Sequence, residues 1–290
     1  MENAETLRPL MVFVGVTYGL SILLSIVIGL TGGKDSNLIG LGFGAFFFPA
    51  IAVLVVRYGF DARIADAGWR KFSIIWLLAA LFIIPITIHT VTLPVTALLN
   101  DFTLPWQGWL TPAADGLYYS PEERGWGILT RGELTNRLLL NAVVGILIVS
   151  LLAFFEEIGW RAWMLPRLTD QFGVREGVLI GSAIWAFWHI PFVLAGIHHF
   201  DGVPIWLAVL FSTLGFIGAG NVLGWLWMGS GSIWIITLAH GALNNWGQFA
   251  FKFMTDAPEL TGSNENLILF ITLNTTLFVL GMFFLFRLSS

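Results

Sequence analysis

The segment Phe154-Phe155-Glu156-Glu157-Ile158-Gly159-Trp160-Arg161 sets two carboxylates and a guanidinium inside an otherwise apolar run. A charge at membrane depth costs about 2.5–3.5 kcal/mol even on a lenient insertion scale, so such residues point to function. Glu157 and Arg161 are four residues apart and share a helix face, where they can pair. Glu156 is turned about 100° from Glu157 around the same axis. One carboxylate can thus be neutralised while the other stays available. Further along, Trp185-x-x-x-His189 is followed by Pro191, which loosens the helix beside the imidazole and opens backbone polar groups to a cavity. His240-x-x-x-Asn244 then puts an imidazole and a carboxamide on one face. Each pattern alone also fits a snorkelling pair or ordinary interhelical hydrogen bonding.

These residues lie on elements that must cross a membrane. Of 290 residues, 57% are hydrophobic and 11% charged, and the mean hydropathy is +0.81. That excludes a disordered chain and leaves too little polar surface for an ordinary soluble domain. A bilayer core about 30 Å thick takes roughly 20 apolar helical residues. Eight runs qualify: Pro9–Thr31, Leu38–Val56, Ile74–Leu99, Leu138–Trp160, Val178–Ile197, Ile205–Met228, Ile233–Met254 and Leu267–Phe286. The expected fold is an all-α, polytopic transmembrane helical bundle of about eight spans, one domain over residues 1–290. The first run is too long for a signal peptide and is expected to be retained as a span. With Arg161 at the cytoplasmic boundary, Glu156 is roughly 8 Å deep, His189 about 16 Å, His240 about 10 Å and Asn244 about 16 Å, counting 1.5 Å per residue. Three spans therefore carry their costly groups in one half of the membrane. That suggests a single water-filled cavity open to the cytoplasm.

Charge placement sets the orientation. With the N-terminus inside, Arg8, Arg57, Arg63, Arg70, Lys71, Arg161, Arg167, Arg175 and Arg287 are cytoplasmic, against Lys34, Arg124, Arg131, Arg137 and Lys252 outside. Both termini are expected in the cytoplasm. A formal charge of −4 gives no basic footprint for nucleic acid. The absence of cysteine excludes disulfides, thiolate metal sites and cysteine nucleophiles. No internal repeat is visible, which speaks against a transporter. Gly15/Gly19, Gly40/Gly44, Gly177/Gly181 and Gly220/Gly224 read as helix-packing pairs. The loop Asn100–Asn136, with Trp106, Trp109, Tyr118, Tyr119 and Trp126, reads as an interfacial aromatic cover. His198 and His199, beside Asp201, read as a solvated loop pair, and His89 as a packing residue near hydroxyls. Trp185, Trp188 and Trp246 lie at depth beside His189 and Asn244 and read as cavity wall.

The order Glu156-Glu157-x-x-x-Arg161, aromatic-x-x-x-His189, His240-x-x-x-Asn244 resembles the three motifs of the CPBP intramembrane proteases. That family includes the type II CAAX prenyl endopeptidases and the ABI proteins. The resemblance covers about Phe154 to Asn245, with Trp185 standing where the family usually has Phe. It implies an intramembrane endopeptidase that hydrolyses a peptide bond near the cytoplasmic side. Glu156 would be general base, His189 would position the water and shuttle its proton, and His240 and Asn244 would bind the oxyanion. Glu157, Arg161 and Trp185 would support them. No cofactor is favoured, although zinc or another divalent ion stays open with Glu156, His189 and His240 as its ligands. The implied partners are membrane lipid and a hydrophobic, lipidated or transmembrane peptide, with prenylated CAAX-type ends among the candidates. The alternative is a non-catalytic immunity-type protein or a transporter on the same scaffold.

Overall fold

The computed structural model describes residues 2–60, 68–69, 72–99, 117–119, 128–198, 203–253 and 264–289. Its long elements are helices, as they must be where no water is available to satisfy backbone polar groups. In chain order they are α1 (Glu2–Leu30), α2 (Phe48–Phe60), α3 (Ile74–Thr87), α4 (Leu93–Leu99), α5 (Arg131–Glu157), α6 (Leu165–Phe172), α7 (Val174–Trp188), α8 (Ile190–Leu194), α9 (Ile205–Ser230), α10 (Ile233–Phe253) and α11 (Asn264–Leu285). A 3-10 stretch, Ile39–Phe47, leads into α2, and π-helical segments join α3 to α4 (Ile88–Thr92) and α5 to α6 (Ile158–Met164).

Among the described residues, seven helical stretches are long and apolar enough to cross a membrane. They correspond to seven of the eight expected runs. The eighth, expected at Ile233–Met254, is present as α10 but falls outside that class. Its apolarity is diluted by His240, Asn244, Asn245 and Gln248.

One boundary that differs from expectation and one break bear on the site. The fourth run does not stop at Trp160. It continues through the π segment into α6, giving a candidate span of Val143–Phe172. Pro166 sits in the first turn of α6, where a missing N–H is harmless. The stop comes at Gly173, whose φ of 90° suits a residue without a Cβ. Arg161 is therefore inside the bundle, only 3% exposed; it drops out of the charge tally for orientation, and the depth of Glu156 counted from it as the membrane boundary does not hold. The fifth run does break, as Pro191 suggested. α7 ends at Trp188, and α8 restarts with Pro191 in its first turn.

In the segment before α5, Leu117–Tyr119 and Ile128–Thr130 pair as an antiparallel hairpin, β1 and β2. Most of the aromatic loop expected there lies outside the described residues. Thr130 and Glu133 form a capping box, so α5 starts at Arg131, ahead of the apolar run. The Glu133 carboxyl is held below its usual range chiefly by the Thr130 backbone N–H.

The site is built where α5, α7 and α10 meet. α10 packs on α5, α3 and α9, while α9 packs on α7 and α11. Gly220 and Gly224 of α9 meet Ser182 and Val178 of α7, and Gly177 backs onto α6. These glycine pairs bring helices together, whereas Gly15, Gly19, Gly40 and Gly44 face open space. Loops also sort into two ends. Gly33 and Lys34 touch Ala195 and Gly196 at one end. At the other, Trp69 bridges Ser232 and Arg175 donates to the Leu288 carbonyl at 2.9 Å.

Candidate active site

Glu156 and Glu157 close the regular part of α5, and the π segment follows at once. Adjacent carboxylates on a helix must point apart, and they do. Glu157 Oε1 accepts from Arg161 Nη1 at 2.8 Å. The same oxygen accepts from His240 Nδ1 at 2.6 Å, linking α5 to α10. Glu156 points toward α7 instead, where its Oε2 accepts from the Trp185 indole N–H at 3.1 Å. Its Oε1 accepts no hydrogen bond among the described residues.

The two imidazoles are oriented by different means. His189 occupies the break between α7 and α8, and its Nδ1 lies 2.8 Å from the Trp185 carbonyl oxygen. A carbonyl only accepts, so Nδ1 carries the proton and Nε2 of the neutral ring is an acceptor. The His189 ring stacks on Phe216 of α9, with centroids 3.9 Å apart. His240 has the Glu157 carboxylate on Nδ1, so its other nitrogen is also Nε2. The fixed orientation matches the way a buried carboxylate holds the imidazole in hydrolytic triads.

Trp185 stands between all of these groups. Its ring meets His189 edge-on at 4.9 Å and His240 edge-on at 5.4 Å. The Arg161 guanidinium lies 4.6 Å from the ring centroid, a cation–π contact. Because the indole fills the centre, the site is closed rather than an open basin. Glu156 is 3% exposed, His189 7% and His240 1%. Trp188 does form wall beside His189, and its indole N–H is tied to Ser21 Oγ of α1 at 2.6 Å.

Six of the seven residues singled out from the sequence thus stand in mutual contact: Glu156, Glu157, Arg161, Trp185, His189 and His240. Asn244 lies one turn beyond His240 on α10, half-buried, and makes no hydrogen bond to the cluster among the described residues. Glu156, His189 and His240 do not gather as a metal set. Among the described residues, no three His, Asp or Glu side chains come close enough to hold a metal ion.

His198 is the residue that sequence reasoning set aside. It is half-buried rather than fully solvated. The chain after α8 folds back through an Ile197 N–H to Phe192 carbonyl bond of 2.9 Å. That puts the His198 ring 5.8 Å from His189 and 6.2 Å from Phe216. Burial pushes its imidazole down to about 4. The available signal was Gly196, whose φ of 77° permits the sharp return. His199 and Asp201 lie outside the described residues, as does the side chain of His89.

Residues 137–246 match the family model described as type II CAAX prenyl endopeptidase Rce1-like. The matched stretch runs from α5 to α10 and contains every residue of the cluster. The match supports the resemblance to CPBP proteases read from the motifs. At family level the match supports a CAAX-type intramembrane protease, a hydrolase, and the seven helices long and apolar enough to cross a membrane support an integral multi-pass membrane protein. No curated protein matches the chain.

Proposed function

We propose that this protein is an endopeptidase that hydrolyses a peptide bond near the cytoplasmic face of its membrane, using a water activated by Glu156. The single observation that carries this reading is the division of labour between neighbouring carboxylates. Each keeps one oxygen unbonded, but Glu157 Oε1 is taken by both Arg161 and His240, whereas the one partner of Glu156 is the neutral Trp185 indole N–H, so Glu156 alone has no basic side chain bonded to it. Glu156 takes a proton as the water oxygen bonds to the scissile carbonyl carbon. The carbonyl π electrons move onto oxygen, where His240 Nε2 and Asn244 donate hydrogen bonds. With Glu157 on Nδ1, that donation requires the ring to carry both protons. His189 Nε2 accepts from the attacking water and aligns it. Collapse of the tetrahedral intermediate breaks the C–N bond, and the proton held by Glu156 passes to the departing amine.

The substrate is a hydrophobic, lipidated or transmembrane peptide, because the site lies within the bundle and is walled by aromatic rings. Prenylated CAAX-type ends are the first class to try. The chemistry proceeds without a metal ion. Purified protein in proteoliposomes should cut a farnesylated CAAX-type peptide in excess chelator, with the new termini identified by mass spectrometry. Cleavage of only the unprenylated control peptide would reassign the substrate, and no cleavage of either would remove the enzymatic reading.

A further inference from the structure

We propose that Trp185 is the positioning residue of this site: its indole N–H ties down one oxygen of Glu156 and leaves the other to act as base. The inference rests on the catalytic reading of Glu156 above. A free carboxylate end can rotate and present either oxygen. Here Oε2 is held by Trp185 Nε1 at 3.1 Å, with Trp185 1% exposed, and Oε1 accepts nothing among the described residues. The same residue sets the base's neighbours. Its backbone carbonyl fixes the proton of His189 on Nδ1, and its ring edges set the distances to His189 and His240. The Arg161 guanidinium lies over its ring, 4.6 Å from the centroid. Side chains from α5, the π segment and α10 therefore take their places from one residue of α7. Among aromatic side chains, only indole joins a large apolar plate to an N–H that donates and never accepts. Phe at this position would keep part of the packing and lose the donor.

The side chain acts through Glu156 and not on the substrate, so its removal should slow turnover without weakening binding. Two replacements separate the hydrogen bond from the packing. Trp185→Phe removes both the N–H and some volume. A benzothienylalanine placed at 185 by codon suppression swaps the indole nitrogen for sulfur and keeps the volume. Both are assayed on the farnesylated peptide in proteoliposomes, beside wild type and Glu156→Gln. With the analogue, kcat should fall about ten- to hundredfold and KM stay within about twofold, the penalty of a misplaced reacting group. Wild-type kcat in the analogue overturns the proposal whatever Trp185→Phe does. A raised KM with unchanged kcat also overturns it, by assigning the ring to substrate binding. Wild-type cleavage by Glu156→Gln would instead bring down the underlying reading, and this inference with it.

Discussion

At the scale of single residues, the Glu157–Arg161 pair is the most exposed to test. Both groups are buried, at 0% and 3% exposure. Removing Arg161 leaves the buried Glu157 with His240 as its remaining partner, and breaking a buried ion pair costs up to about 3–5 kcal/mol. Arg161→Met should therefore lower the unfolding midpoint of the detergent-solubilised protein strongly. Arg161→Met with Glu157→Gln should recover much of the loss, and equal midpoints for the single and double variants would contradict the pairing. His198 makes a different prediction. Its folded-state value of about 4 lies below the ordinary 6.5, so the unfolded chain binds the proton more readily. Its docking is unpenalised above pH 6.5 and is progressively lost as pH falls toward 4. Thermal unfolding from pH 7 to pH 4 should show wild type losing more stability than His198→Gln, and parallel curves would contradict this. The Glu157–Arg161 pair was legible because four residues of helix fix a face. The bonds from Glu157 to His240 and from Trp185 to Glu156 were not, since sequence separations of 83 and 29 residues say nothing of how three helices cross. Asn244 shows the converse: the shared face with His240 was legible, yet a shared face alone does not bring a side chain into contact with the cluster.

At the scale of elements, the π segment Ile158–Met164 positions the site and was invisible to apolar periodicity. An apolar run interrupted by Glu and Arg looks like a helix end. Here the charges pair inside the bundle and the helix runs on to Phe172. The break at His189 was legible because Pro191 announces it. Close approach of α2 to the π segment depends on Gly159, where a Cβ would collide with Pro49. Gly159→Ala should destabilise the protein by about 1–3 kcal/mol through overpacking. It should also displace the neighbouring Glu157 and so lower kcat. Unfolding midpoints check the first effect and steady-state assays the second, and an unchanged midpoint would show that α2 gives way freely.

At the scale of the whole molecule, the all-α multi-pass character followed from hydropathy alone. The count was less secure, because α10 trades apolar residues for the polar groups of the site. The two ends of the bundle are defined by contacts between loops, and the orientation expected from charge puts the end that carries Gly173 and Ser232 in the cytoplasm. The natural absence of cysteine gives a clean background for testing this. In intact cells, an impermeant maleimide should label Asp35→Cys and spare Gln171→Cys, with the reverse pattern inverting the topology. The central claim is that Glu156 is the base while Glu157 only orients, and one kinetic measurement tests it most directly. Glu156→Gln, folded and in proteoliposomes, should turn over the peptide about 10²–10⁴-fold more slowly than wild type. Wild-type kcat in Glu156→Gln would contradict the assignment outright.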